Sequence, residues 1–569
     1  MEPTSINIEK PVKLSFVDSR WFYRILEIVP GLTTWTVIIA PIILSISYPI
    51  IVAYFIIAYD LLWLVKSMRM SIFLIRGYRR MRLAAKVNWS KKLDNLKDLD
   101  NTYNKYRGEL LKLEKENPYV KKLLVFKLKK RYFQDKYHKI KAELAEIETL
   151  FDHRNTLINP DEIYNVVILA TYNESLDTLK PSVEALTKAN WNPKKLIFVL
   201  AYEERGGEQT QKNAKALEEE FKGKFGGYLS VMHPRNIPGE IRGKGSNITF
   251  AGRQLLKYID SKNIPHDRVI VTTLDSDHRV SPHYFDYLTY VYAIDPNRNH
   301  KSFQPIAMFF NNIWDAPAPM RVIAAGNSFW LIIETMRPHR LRNFAAHAQG
   351  LQTLVDTDFW SVTTIVEDGH QFWRTYFVYD GDHQVKPIYA PIFQDAILSN
   401  TYLKTFKNQY LQLRRWAWGI SDFPFVVKNS IKNRQISFGN KFVQTFRLFE
   451  GHLSWATTPL ILTFVAWLPL IINSSFKNQV LAHQLPVVAS WILTVAMAGL
   501  FVTIWISMIS LPPRPTRYKR TKSVFMLLQW LLLPITTMAF GSFAAIDSQT
   551  RLMLGKYLEY WVTEKAQKK

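Results

Sequence analysis

The stretch Val269-Ile270-Val271-Thr272-Thr273-Leu274-Asp275-Ser276-Asp277 decides the reading of the fold. Five β-branched residues and a leucine in one run predict a strand buried on both faces, as in a parallel sheet. Such a strand carries the carboxylates that end it into the crevice at its carboxyl end, where open α/β sheets bind ligands. Residues 164–170 and 196–201 read as two more strands of this kind. The segments between them are of helix length, so the region is expected to be a mostly parallel α/β sheet. Mg2+ and Mn2+ prefer hard oxygen ligands, and Asp275 and Asp277 supply two carboxylates at one strand end. His278 follows directly and reads as a supporting or surface histidine rather than a ligand.

Outward from this core the composition changes. The 569 residues are 48% hydrophobic yet carry a net charge of +25, which implies segregated apolar and basic segments. A membrane protein with a basic cytoplasmic side fits. Nucleic acid is not expected as a partner, because the charge is spread along the chain without a binding motif. Cysteine is absent, which excludes disulfides and thiolate sites. Residues 1–27 read as a cytoplasmic segment, and 28–66 as two membrane spans with a turn near Ser47-Tyr48-Pro49-Ile50. Residues 67–90, rich in arginine, read either as an amphipathic helix on the membrane surface or as a basic helix packed on the next domain. In 91–157, Phe133, Tyr137, Ile140, Leu144, Ile147 and Phe151 form a helical stripe and Pro118 a break, so a charged helical hairpin is expected. The α/β domain is assigned to 158–440. Residues 441–569 hold three or four further membrane segments and a basic tail. Five simple spans would put that tail outside, against the positive-inside rule, and Pro534 leaves the last segment open as a re-entrant hairpin.

Polar residues follow each strand: Thr171-Tyr172-Asn173-Glu174, then Tyr202-Glu203-Glu204. Gly243-Lys244-Gly245-Ser246 permits close backbone approach to phosphate but lacks P-loop spacing. Val366-Glu367-Asp368 and Gln412-Leu413-Arg414-Arg415-Trp416 come later. In this order the motifs resemble the family 2 glycosyltransferases, and more closely their cellulose synthase and hyaluronan synthase branch.

The resemblance covers roughly residues 160–425 and the flanking spans. It implies a GT-A-type nucleotide-sugar-binding domain flanked by transmembrane helices, with the catalytic domain on the cytoplasmic face of the cell membrane. Thr171, Tyr172, Glu174 and Glu203 would hold the nucleoside, and Lys244 the diphosphate. Asp275 would contact ribose or metal, and Asp277 would ligate Mg2+ or Mn2+. Asp368, beside Glu367, would be the base that deprotonates the acceptor hydroxyl. Gln412, Arg415 and Trp416 would bind diphosphate and sugar. Two positions depart from the family pattern: Glu203 stands where an aspartate is usual, and Val366 replaces a threonine. The expected activity is inverting, metal-dependent transfer from a nucleotide sugar, with UDP-sugar favoured, to a saccharide, coupled to export. Single addition to a lipid-linked acceptor and a catalytically silent assembly role remain open. No motif names the sugar or the oligomeric state.

Overall fold

The computed structural model describes the backbone of residues 16–116 and 128–560 and the side chains of 17–115 and 135–560. Pro118, the Phe133 side chain, the N-terminal fifteen residues and the basic tail ending in Lys569 lie outside the described residues.

An eight-stranded sheet organises the α/β domain. In chain order its strands are β1 (Tyr164–Thr171), β2 (Leu196–Glu203), β3 (Gly227–His233), β4 (Val269–Asp275), β5 (Arg279–Val280), β6 (Lys301–Met308), β7 (Ala348–Gly350) and β8 (Gln384–Phe393). The spatial order is β3-β2-β1-β4-β7-β6-β8-β5. The first four are mutually parallel. β7 then runs antiparallel to both β4 and β6, and β8 pairs parallel with β6. The three apolar runs picked out in the sequence are β1, β2 and β4. They are adjacent because each is buried on both faces and only the middle of a sheet offers two covered faces; Val166 to Leu169 are fully buried. Register aligns Ala170 with Asp275 and Thr171 with Tyr202, which brings three polar strand ends to one edge.

Five helices are long and apolar enough to cross a membrane: Arg20–Ser47, Pro49–Ala84, Phe438–Ile472, Val480–Ser510 and Thr521–Met553. The second corrects the separate helix expected over 67–90. Pro49–Ala84 runs unbroken for 36 residues. At 1.5 Å per residue it is ~54 Å long, well beyond the about 30 Å of a hydrocarbon core, so a crossing by its apolar half would leave the basic half outside the apolar layer. That half packs on the α/β domain: Leu74, Gly77, Met81 and Ala84 are buried. A Cβ on Gly77 would lie 2.6 Å from Ile332 on the helix Ala318–Thr335, so only glycine permits this approach.

Three helices follow, Trp89–Lys97, Leu99–Glu116 and Leu128–Phe151. The stripe residues Ile140, Leu144 and Ile147 pack on Leu99, Tyr106 and Leu113, so this helical pair covers its own apolar stripe within the chain.

The last apolar segment lies along the α/β domain. Arg517 pairs with Asp315 (2.8 Å) just before its start. Gln529 accepts from Arg321 (2.5 Å), Phe540 meets Phe406, and Asp547 pairs with Arg414 (3.0 Å). A π-helical turn at Thr537–Ser542 interrupts it. Both of its ends therefore touch the same domain.

Candidate active site

Lys244 opens the helix Lys244–Ser261, and its ammonium is the hub of the strand-end crevice. Nζ lies 2.8 Å from Asp275, 3.4 Å from Asp368 and 3.8 Å from Glu367. Its side chain is only 6% exposed. Burial pulls its pKa down, but the three carboxylates outweigh that and hold the proton well above the usual lysine range. Residues from β4, the helix Lys244–Ser261 and the helix Glu367–Val378 are thus joined at one cation.

The loop glycine beside Lys244 has a steric reason. A Cβ on Gly245 would sit 2.5 Å from the carbonyl oxygen of Ser361 and 3.1 Å from Cβ of Glu367. Gly245→Ala must displace backbone that positions Glu367. We expect a loss of about 1–3 kcal/mol, read as a lower midpoint in thermal denaturation of detergent-solubilised protein.

Glu367 and Asp368 occupy the first turn of their helix, where partial positive charge favours carboxylates. They differ in setting. Glu367 is buried, and burial together with the Asp368 charge pushes its carboxyl up, with Lys244 and Arg415 only partly offsetting this. Asp368 is more open, its side chain 21% exposed. Behind it stands His347, which sequence reading missed. Its Nδ1 lies 3.6 Å from Asp368 Oδ1. Trp360 donates to its Nε2 (3.0 Å), so Nδ1 carries the hydrogen and faces the carbonyl of Phe344 (3.0 Å). Burial lowers its pKa, which leaves a neutral imidazole. A lone histidine far from any motif gave no signal in the sequence.

Asp277 is buried, and one of its oxygens accepts from the backbone N–H of Asp395 (2.8 Å). His278 supports Asp275 as expected: its Nδ1 accepts from the Asp275 N–H (3.1 Å) and its Nε2 lies 3.4 Å from the carboxylate. Among the described residues, no group of three or more His, Asp or Glu side chains is arranged to hold an ion alone. The donor chemistry of Asp275 and Asp277 fits a hard divalent cation that takes its remaining ligands from substrate oxygens and water.

The residues expected to hold a nucleoside form a neighbouring group at the ends of β1 and β2. Glu174 folds back into its own turn, accepting from Thr171 Oγ1 (2.7 Å) and from the N–H groups of Tyr172 (2.7 Å) and Asn173 (3.2 Å). One of its oxygens is therefore engaged in shaping the turn. Glu203 is buried and paired with Arg205, whose guanidinium also lies over the Tyr172 ring (5.6 Å). Burial raises the Glu203 pKa, and Arg205 opposes the shift. Neither Glu174 nor Glu203 contacts Lys244 in the way Asp275, Glu367 and Asp368 do.

Gln412, Arg415 and Trp416 lie in the last turns of the helix Tyr402–Ala417. Gln412 accepts from Gln409 (3.2 Å), and Trp416 tilts against Phe309 (6.0 Å). Burial works against the Arg415 charge, but Tyr560 and the carboxylates of Glu367, Asp275 and Asp368 tighten its hold on the proton. Its buried Nε has no hydrogen-bond partner. Its guanidinium sits over the ring of Tyr560 (5.1 Å), and that ring also packs near Gly243. Tyr560 is a second residue the sequence did not reveal, since it lies some 140 positions from Arg415 in an unpatterned segment.

An α/β protein with five helices long and apolar enough to cross a membrane, and with a carboxylate-rich crevice at its strand ends, is what fold and site define. No protein-family model and no curated relative matches the chain. Among solved structures, similarity extends to a mannosyltransferase from Pyrobaculum calidifontis in complex with GDP-Man and Mn2+, at 14% identity over 60% of this chain and 86% of that one, TM-score 0.37. It also extends to residues 1–349 of S. aureus TarS, at 12% identity over 69% of this chain and 93% of that one, TM-score 0.31.

Proposed function

We propose that this protein is an inverting glycosyltransferase of the family 2 type, which transfers sugar from a nucleotide donor at the cytoplasmic face of the membrane. The reading is carried by one observation: the Lys244 ammonium joins Asp275 at the end of β4 to Asp368 on another helix, with Arg415 facing the same carboxylates. A diphosphate needs cations, and a nucleophilic hydroxyl needs a nearby base. The crevice offers Lys244 and Arg415 for the first and Asp368 for the second.

In the reaction the acceptor hydroxyl loses its proton to Asp368 as its oxygen attacks the anomeric carbon. The bond from that carbon to the diphosphate oxygen breaks, and its electron pair leaves with the nucleoside diphosphate. Attack from the face opposite the leaving group inverts the configuration, so an α-linked donor gives a β-linkage. A divalent Mg2+ or Mn2+ held by Asp275 and Asp277 would supply positive charge to the departing diphosphate. Thr171, Tyr172 and Glu203 form the nucleoside end, and Trp416 offers a ring face to a sugar. Glu174 acts by holding the Thr171–Tyr172 turn.

The membrane segments fit four crossings, with Thr521–Met553 lying on the domain at the bilayer surface. Both ends of that segment touch the domain, and an even count returns the C-terminal tail to the cytoplasmic side. A growing saccharide and export between the spans is the acceptor reading we favour.

The deciding experiment measures nucleoside diphosphate release by membranes containing the protein, over a panel of UDP- and GDP-sugars with Mg2+, Mn2+ or EDTA. We expect release from one donor, abolished by EDTA and by Asp277→Asn. Release that persists in EDTA removes the metal from the reading. No release from any donor, in folded protein supplied with saccharide and lipid acceptors, overturns the transferase itself. Arg415→Lys is expected to raise the donor KM about tenfold, equivalent to ~1.4 kcal/mol, because an ammonium cannot offer the planar fork.

A further inference from the structure

Six cations gather where the α/β domain meets the membrane helices, away from the crevice. Lys66 and Arg69 come from Pro49–Ala84, Arg337, Arg340 and Arg342 from the loop after Ala318–Thr335, and Arg447 from Phe438–Phe464. Two carboxylates bond into this group. Glu450 pairs with Lys66 (3.0 Å) and Arg340 (3.3 Å), and Glu334 pairs with Arg337. Arg342 is turned inward, donating to Gln444 (2.5 Å) with its guanidinium over Phe372 (4.0 Å). Arg447 donates to the carbonyl of His339 (2.9 Å). The remaining positive charge faces outward: Arg69 is exposed, and Lys66 and Arg340 are each more than a quarter exposed.

Concentrating like charges on one spot is unfavourable unless an anion neutralises them. The Nε of Arg337, on a side chain 11% exposed, has no hydrogen-bond partner. His339 reports the same field: beside its partial burial, Arg447, Arg340, Arg337 and Arg342 all depress its pKa.

The surroundings identify the anion's source. On the membrane side of the cluster Leu61, Leu62, Val65 and Met68 are exposed along one helix, and Phe446 and Trp330 are exposed beside it. Lys66 lies over the Trp63 ring (4.5 Å), and tryptophan favours the headgroup level. A phosphate bound here is therefore attached to acyl chains that cover the apolar rows. We propose that Lys66, Arg69, Arg337 and Arg340 form a binding site for the phosphate of an anionic glycerophospholipid in the cytoplasmic leaflet. Arginine forks suit phosphate oxygens, and each basic side chain near an anionic bilayer surface adds to the attraction. The proposal stands independently of the transferase activity.

The test is native mass spectrometry of the full chain released from detergent containing equal phosphatidylglycerol and phosphatidylcholine. Wild type should retain phosphatidylglycerol at least fivefold over phosphatidylcholine. Arg69→Gln with Arg340→Gln should bring that ratio near one, and Arg79→Gln with Arg82→Gln, exposed on the same helix, should leave it unchanged. Millimolar glycerol 3-phosphate should not displace the lipid. Equal retention of the two lipids by wild type overturns the site even if the variants fail to fold. Equal preference in wild type and the Arg69/Arg340 variant places binding elsewhere. Displacement by glycerol 3-phosphate assigns the cluster to soluble anions instead.

Discussion

Asp368→Asn is expected to lower the transfer rate by about 10²–10⁴-fold, the usual range for losing a general base, with little change in donor KM. The substitution keeps the side-chain shape and an oxygen for Lys244 but removes the proton acceptor. Asp368 is the better base of the acidic pair because it is the more open, its side chain 21% exposed. Lys244 shares itself among three carboxylates, and His347 behind it is neutral. Glu367 is almost wholly enclosed and its carboxyl is pushed up by burial. Glu367→Gln should therefore cost less, since at neutral pH it replaces a group already inclined to hold its proton. Single-turnover rates at saturating donor separate the two. If Asp368→Asn stays within about threefold of wild type, the base is another group and Glu367 becomes the first to test. Melting curves of both variants guard against a folding explanation.

The parts of this molecule legible in the sequence are those where one short stretch suffices. β1, β2 and β4 could be read because strands buried on both faces are continuous apolar runs, and Asp275 and Asp277 because they end such a run. The antiparallel half could not be read. β7 has three residues and β5 two, too short for any period, and their pairing is set by contacts across the sheet. The second helix runs past the boundary its composition suggests, because the change from apolar to basic marks a change of surroundings, not of backbone: nothing between Val65 and Ala84 breaks a helix. The last apolar segment had the composition of a span. Its place along the domain depends on Arg321–Gln529 and Arg414–Asp547, which join residues more than a hundred positions apart. The same limit hid His347 and Tyr560. Each touches a motif residue in space, and neither belongs to a motif.

Lys244→Met is expected to cost stability as well as activity, by about 3–5 kcal/mol, because it removes one partner from a buried ionic group and leaves its carboxylates uncompensated. Methionine fills much of the lysine volume, so the loss reports charge more than a cavity. The deficit should depend on pH in a definite sense. In the variant, Glu367 has lost Lys244 and Asp368 still repels it, so its folded pKa rises further above the unfolded value. A carboxyl with a raised folded pKa carries no penalty below its unfolded pKa. The penalty grows as pH climbs from the unfolded value to the folded one and is constant above it, so wild type and variant separate only above about 8, where the wild-type carboxyl has ionised and the variant's has not. Thermal denaturation of purified variant and wild type should therefore show a smaller gap at pH 7 than at pH 9. A gap that is constant across this range, or larger at pH 7, would mean that the lysine acts through packing and that the carboxylates are neutralised by something else. Arginine at the same position should recover part of the stability but little activity, because its broader head cannot stand between Asp275 and Asp368 at the distances the ammonium keeps.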